Sequence, residues 1–98
     1  MPAYLFQIDL SEVNDEFEMS IPQHRRYVNR LFVDGILLSY SVSLQRNAIW
    51  CVISAETEQE AMDVVHSFPL YKFFTDINCH QLLFHNTQSM LLPDISLN

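Results

Sequence analysis

The order in which hydrophobic spacing changes along the chain limits the possible folds more than any other feature. Four segments are typical of strands: 3–10, 36–44, 48–55 and 76–86. The segments 21–34 and 57–67 instead have apolar residues three or four positions apart, which is typical of one side of a helix. The predicted order β-α-β-β-α-β is that of a ferredoxin-like α+β sandwich, in which two crossover units share one antiparallel sheet.

The first predicted helix has clear signals at both ends. Ser20 is a suitable N-cap, and Pro22 then lies in the first turn, where a missing N–H is tolerated. Gly35, the chain's only glycine, suits the left-handed conformation that closes a helix. The preceding segment 11–20 holds four acids and no base, so we expect it to be a solvated connection.

The second half of the chain has comparable signals. Residues 45–47 are expected to form the turn of a hairpin between the second and third strands. Thr57 and Glu60 form a capping box, which predicts the start of the second helix, and Pro69 stops that helix. The fourth strand follows.

The predicted topology leaves one face of the sheet uncovered. Right-handed crossovers place both helices on the same face, so the opposite face needs another partner. Charged residues make up only 17 % of the chain, below the usual value of about 25 %, which favours a surface covered by a second copy. We therefore expect two copies of one domain, over 1–98, that press their sheets together. The core of the domain spans about 3–86, and the tail 87–98 is either loose or lies over a partner.

Composition argues against several classes of function. Twelve acidic and five basic residues give a net charge of −7, which repels phosphate backbones and disfavours nucleic acid as a partner. No run approaches about 18 apolar residues and no leader segment is visible, so we expect a cytoplasmic protein without a membrane partner. Cys51 and Cys79 form no CxxC pair, so they are expected to be reduced, semi-buried thiols, and no metal or cofactor is expected.

His24 is the strongest candidate for chemistry. It lies near the start of the first predicted helix, on the side facing the sheet rather than among the arginines. An imidazole in a pocket between helix and sheet suits a general acid or base, because its pKa lies near neutrality. It would need an orienting partner, for which Asp76 or Asp9 is the candidate acid. The alternative is a core or capping histidine without a chemical role.

A second group of polar residues is predicted on the uncovered face of the sheet. Gln7, Asp9, Ser39, Ser41 and His80 alternate with buried positions, so we expect them to form the half-polar inner wall of a barrel that binds a ligand. The alternative is a hydrated dimer interface.

Aromatic residues cluster at the corner 67–86, after the second predicted helix. Tyr71, Phe73 and Phe74 are expected to seal the dimer or the mouth of a pocket, and Tyr71 is a candidate ligand contact. The alternative for these side chains is packing of the core.

The same corner resembles a known family. The sequence FPLYKFFTDINCHQLLFH is similar to the end of the muconolactone isomerases in its Pro69-Leu70-Tyr71 turn, Asp76 and His85. Further similarities over residues 4–86 are the first strand with its acid and several helix positions: Gln7-Ile8-Asp9-Leu10, Tyr27, Leu31, Gly35 and Glu56-Thr57. The resemblance implies a dimeric α/β barrel that can assemble into larger rings.

The resemblance also implies an activity. We expect a small-molecule isomerase or lyase that moves a proton next to a carbonyl, acting on a compound such as a lactone. In this interpretation His24 is the acid or base, and Tyr27 and Asp9 are supporting polar groups. The alternative is a non-catalytic dimer that binds a small ligand or is purely structural.

The chain differs at several positions from the families that it resembles. The isomerases have basic residues where this chain has Gln7, Gln23, Leu38 and Val42. A weaker resemblance is to the YCII-related proteins. These proteins have a histidine eleven residues before the helix-ending glycine, as His24 is here, but their paired aspartate corresponds to Phe68.

Overall fold

A computed structural model of the protein describes residues 2–86 and shows a four-stranded antiparallel sheet covered on one face by two helices. The elements are β1 (Ala3–Leu10), α1 (Asp15–Val33), β2 (Leu37–Val42), β3 (Ala48–Ser54), α2 (Glu58–His66), a 3₁₀ turn (Tyr71–Phe73) and β4 (Phe74–Leu82). The strand order β2-β3-β1-β4 confirms the predicted ferredoxin-like α+β fold. The tail 87–98, predicted to be loose or to lie over a partner, is outside the described residues.

Strand β1 is the centre of the hydrophobic core. It runs between β3 and β4, so that Phe6 lies between Cys51 and Cys79 in the ladder. The alternation expected from the sequence is confirmed, because Phe6 and Ile8 are fully buried while Gln7 and Asp9 are exposed. Burial raises the pKa of the Cys51 thiol, to about 12, and also that of Cys79, so both thiols are protonated at neutral pH.

Strand β2 contains an irregularity that the sequence pattern did not predict. Strict alternation over the predicted strand 36–44 would point Leu38 inward with Tyr40, but the register with β3 shifts between Leu37 and Ser39, so this expectation is wrong. Leu37 is buried and Leu38 is 37 % exposed. The shift inserts one extra residue in β2, as a β-bulge does, and alternation resumes after it. Tyr40 therefore still faces the helices, and it lies opposite Cys51 in the ladder.

Helix α1 begins six residues earlier than predicted. Asn14 is the N-cap, and its side-chain oxygen accepts the backbone N–H of Phe17 at 2.8 Å. The acids of segment 11–20 therefore belong largely to the first turns, where negative charge favours the helix dipole. Phe17 anchors these turns, because it is buried and its ring lies 5.1 Å from that of Phe73. Ser20 and Pro22 lie inside the helix, so the prediction of Ser20 as the cap is wrong.

The other predicted helix ends are confirmed with one change. Gly35 has φ 74° and donates its N–H to Phe32 O, and Ile36 N–H is donated to Leu31 O, which together form a Schellman closure. At α2, Thr57 Oγ1 accepts from the N–H of Glu60 at 3.1 Å. The carboxylate of Glu60 reaches back to the N–H of Glu56 rather than to that of Thr57.

The last strand is displaced from its predicted position. It begins at Phe74 and ends at Leu82, instead of covering 76–86, and the side chains of Leu83 and Phe84 beyond it are largely exposed. Within residues 2–86, neither helix combines the length and the hydrophobicity needed to cross a bilayer.

Candidate functional site between helix α1 and the sheet

A cavity of about 450 Å³ lies between α1 and the helix-facing side of the sheet. Side chains at 17, 21, 24, 25, 28, 29 and 32 of α1 reach it, because positions three or four apart share one side of a helix. The strand and turn side contributes Leu10, Tyr40, Val42, Arg46, Ile49 and Leu70. Most of this lining is apolar, so its few polar side chains are the groups that can react with a ligand or form hydrogen bonds to it.

His24 and Tyr40 form a hydrogen-bonded pair in the cavity wall. His24 Nε2 lies 2.7 Å from Tyr40 Oη, and His24 is only 5 % exposed. The imidazole and the Phe68 ring pack in a T-shaped arrangement, with ring centroids 5.4 Å apart. The register of β2 against β3 turns Tyr40 toward α1, which explains how residues 16 positions apart meet.

Burial sets the protonation state of this pair. It lowers the pKa of His24 from its usual 6.5 to about 4, because a charged imidazolium loses solvation there. Burial also raises the pKa of Tyr40, with a smaller contribution from Cys51. At neutral pH the pair therefore consists of a neutral imidazole and a neutral phenol.

One nitrogen of His24 lacks a partner. Nδ1 is buried and forms no hydrogen bond with any described residue. The direction of the bond between Nε2 and Tyr40 Oη depends on which nitrogen carries the proton. In both tautomers the pair retains one proton to donate and one lone pair to accept.

The acids expected to orient His24 are on the wrong face of the sheet for that purpose. Asp9 is exposed between the inward-facing Ile8 and Leu10, and it pairs with Asp76 in the ladder of β1 and β4. The expected pairing of His24 with Asp9 or Asp76 is therefore wrong. Tyr40 takes the position next to the imidazole instead.

Tyr27 lies close to His24 on α1 but is directed to the other helix. Its hydroxyl donates to Val64 O at 3.2 Å, and its ring packs on Phe68 at 5.4 Å between centroids. Burial raises the pKa of Tyr27, and a hydrogen bond with Ser67 acts in the opposite direction. This hydroxyl connects α1 with α2, and Tyr27 is not part of the cavity lining.

The candidate binding residues of the uncovered face do lie together. In the ladders Gln7 is opposite Trp50 and Asn78, Ser41 is also opposite Trp50, and His80 is opposite Leu5. Ser39 is half-buried on the same face, next to Val52. The sequence-predicted residues thus divide into two groups on opposite sides of the sheet, with His24 and Tyr27 on the helix side.

The aromatic corner is only partly as expected. Tyr71 is 40 % exposed and its ring contacts His66 and Phe74, with centroids 4.9 and 5.7 Å apart. Phe68 and Leu70 pack inward. Phe73 does not seal an edge but is buried against Phe17, because the 3₁₀ turn directs it into the core.

Sequence reasoning missed the cations of the cavity. Arg25 and Asn29 are exposed residues of α1, yet both reach the cavity rim. Arg46 in the β2–β3 turn also reaches the cavity, and its guanidinium lies 2.9 Å from the carboxylate of Glu18. The helical spacing of Arg25, Asn29 and Phe32 could have predicted that they share one side of α1. No sequence pattern predicted where the β2–β3 turn places Arg46.

Within residues 2–86, no group of three or more His, Cys, Asp or Glu side chains is close enough together to hold a metal ion.

The comparisons with known proteins support the fold. No protein-family profile and no curated protein sequence matches the chain. Among solved structures, the chain is similar to 5-chloro-2-hydroxyhydroquinone dehydrochlorinase from Burkholderia phenoliruptrix AC1100, in complex with 2,5-dihydroxybenzoquinone. The TM-score is 0.68 at 13 % sequence identity, over 82 % of this chain and 92 % of the other. At this identity the likeness establishes a shared architecture.

Proposed function

We propose that the protein is a small-molecule isomerase or lyase that transfers a proton next to a carbonyl group in the α1 cavity. The observation that carries the proposal is the His24–Tyr40 pair in the wall of a cavity of about 450 Å³. Pockets for small organic molecules commonly have volumes of about 300 to 1,000 Å³ and combine apolar walls with a few polar groups.

The His24–Tyr40 pair can transfer a proton although both side chains are neutral before the reaction. Tyr40 Oη accepts the proton from the carbon next to the carbonyl, while its own proton passes along the 2.7 Å bond to His24 Nε2. The electrons of the broken C–H bond become those of an enolate. The enolate's negative charge favours the imidazolium, which offsets the loss of solvation that lowers the pKa of His24.

The second half of the reaction runs through the same pair. His24 returns its proton to Tyr40, and Tyr40 protonates the enolate at a different carbon, which completes an isomerisation. In a lyase the enolate instead expels a leaving group as an anion, and His24 then releases its proton to that anion or to water. The fold's similarity to a dehydrochlorinase in complex with a dihydroxybenzoquinone supports a planar carbonyl compound as the substrate class. Muconolactone belongs to the same broad class.

Proton exchange provides the test. The protein is incubated in deuterated water with muconolactone, related unsaturated lactones and 2,5-dihydroxybenzoquinone, and NMR follows deuterium incorporation and double-bond position. The His24→Gln and Tyr40→Phe variants are measured in parallel, with His66→Gln as the matched histidine control outside the cavity. We expect incorporation by the wild type and the control, and a loss of about 100-fold or more in the two cavity variants.

The results separate this function from its main alternative. Exchange that survives His24→Gln would contradict the role of the pair. Binding without exchange, detected as ligand-induced shifts of cavity resonances, would instead favour a non-catalytic ligand-binding protein. The mainly apolar lining is the observation that favours this alternative.

A further inference from the structure

The cavity has a charge opposite to that of the whole chain. The chain has twelve acidic and five basic residues, yet among residues 2–86 the cavity lining includes Arg25 and Arg46 and no acidic side chain. Asn29 adds an amide one helical turn after Arg25. Two of the five basic residues thus reach a single small cavity in a protein whose overall field repels anions.

The backbone at Arg46 is unusual. Its φ of 60° lies in the left-handed region, which costs conformational energy for a residue other than glycine, asparagine or aspartate. Ser43 holds the turn in place, since its Oγ accepts the N–H groups of Asn47 at 3.0 Å and Ala48 at 3.1 Å. A well-fixed turn therefore presents an arginine where an asparagine or glycine would be less strained.

The partner of Arg46 is held weakly. Glu18 lies 2.9 Å from its guanidinium, but the side chains are 57 % and 51 % exposed, so solvent screens the attraction. An exposed carboxylate of this kind is replaceable by another anion that binds the guanidinium with two parallel hydrogen bonds. Arg25 forms no ion pair within residues 2–86.

From these observations we infer that the cavity selects small organic anions, whose negative group binds Arg46 and Arg25 in exchange for the Glu18 carboxylate. This inference rests on the proposed function in placing the ligand in the α1 cavity. The anionic group is a carboxylate or an ionised enol, and the body of the molecule packs against the apolar lining near Phe17, Val28 and Ile49. Glu18 then acts as an internal competitor that lowers the affinity for every anion.

Another ion pair on the same helix serves as a control. Glu16, which lies two residues before Glu18, forms an ion pair with Lys72. Both of these side chains are also more than half exposed. Neither Glu16 nor Lys72 reaches the cavity. Loss of the Glu16–Lys72 pair removes the same kind of surface interaction from the same end of α1 and leaves the cavity unchanged.

The test compares ligands that differ mainly in charge. Benzoate and phenylacetate are titrated against benzamide and phenylacetamide by NMR at low salt, with wild type, Glu18→Gln, Arg46→Asn, Arg25→Gln and Glu16→Gln. Arg46→Asn removes the charge with a residue that tolerates the left-handed region. We expect the acids to bind about tenfold more tightly than the amides, which corresponds to about 1.4 kcal/mol.

The variants give opposite expectations for the two members of the Glu18–Arg46 pair. Glu18→Gln should tighten the binding of the acids several-fold, Arg46→Asn and Arg25→Gln should remove the preference for acids, and Glu16→Gln should change neither. Equal weakening by Glu18→Gln and Arg46→Asn would overturn the inference, because it would show a purely structural pair. Equal binding of acids and amides, or no shift of cavity resonances with any probe, would overturn it as well. Deuterium exchange with the lactones decides the proposed function separately.

Discussion

His24 combines deep burial with an incomplete set of hydrogen bonds. A histidine that only fills the core normally has both ring nitrogens satisfied, since an unpaired buried polar atom costs about 1 to 3 kcal/mol. Here Nε2 has Tyr40 and Nδ1 has no described partner. Such a residue is more costly to the fold than an apolar one of the same size, and this favours a functional reason for its presence.

The buried imidazole makes stability depend on pH in a defined interval. The folded-state pKa of His24 is about 4, whereas an exposed histidine in the unfolded chain has a pKa of about 6.5. Between these values the unfolded state binds more protons, so the free energy of unfolding falls as the pH falls from 6.5 toward 4. The contribution of His24 is fully present above pH 6.5, and its loss amounts to about 3 kcal/mol across the interval.

Urea unfolding of wild type and variants measures this dependence. We expect the His24→Gln variant to have a flatter profile between about pH 4 and 6.5, because the carboxylates that also titrate there are common to both proteins. The His66→Gln control should show the same pH dependence of the free energy of unfolding as the wild type. Parallel profiles of wild type and His24→Gln would show that His24 is not a neutral buried group.

At the scale of the elements, the first turns of α1 contribute Phe17 and Ile21 to the cavity wall. The cap at Asn14, rather than the expected cap at Ser20, determines that Phe17 is helical and reaches the cavity. Within the helix, Ser20 Oγ donates to Glu16 O at 3.0 Å, a bond that adds little to helix stability. Asn14 therefore has the stabilising role that the sequence pattern predicted for Ser20.

Two alanine variants test these roles directly. Asn14→Ala should lower the free energy of unfolding by about 1 kcal/mol and weaken amide protection of the first two turns, because the Phe17 N–H loses its acceptor. Ser20→Ala should leave stability unchanged or raise it by a few tenths of a kcal/mol, since alanine is the better helix former. A larger loss from Ser20→Ala than from Asn14→Ala would place the start of the helix at Ser20 after all.

The sequence was sufficient where a local pattern determines structure and insufficient where a tertiary contact does. Strict alternation predicted β1 residue by residue, and Gly35 marked the closure of α1. The start of α1 depends on the contact of Phe17 with Phe73, which lies far along the chain. In β2, Leu37 and Leu38 are identical side chains, so composition carries no information about which one is buried.

The same distinction applies to the site. The helical stripe predicted that His24 faces the sheet, which burial confirms. Its partner Tyr40 depends on strand register, and the register differs from the expected one by a bulge. The cation at the rim depends on the path of a turn at Arg46, which no periodicity describes.

At the scale of the whole molecule, the face of the sheet opposite the two helices is not covered by any element of residues 2–86. Trp50 is 40 % exposed there, Leu5 is half-buried, and the polar residues around them make the face mixed in character. Asp9 and Asp76 are directly opposite each other at one end of the face, so like charges lie side by side. A second copy that covers the face would bury Trp50 and leave this acidic end near the rim.

We therefore expect a homodimer that joins the two sheets face to face, and Trp50 is its natural reporter because it is the chain's only tryptophan. Dilution should shift the emission of Trp50 to longer wavelength as the monomer appears, in parallel with sedimentation equilibrium. Gln7→Glu adds a charge beside Trp50 in the ladder and should weaken the dimer by about 1 kcal/mol or more, because the carboxylate loses solvation at the interface.

The matched control places the same substitution on the other side of the molecule. Gln23→Glu changes an exposed residue of α1 and has the same effect on net charge, so it should leave the dimer intact unless overall repulsion controls association. Equal weakening by both variants would assign the effect to net charge rather than to the sheet face. A monomer at every concentration, with unchanged Trp50 emission, would mean that the face is open to solvent, and Gln7, Ser39, Ser41 and His80 would then not line the interior of a barrel.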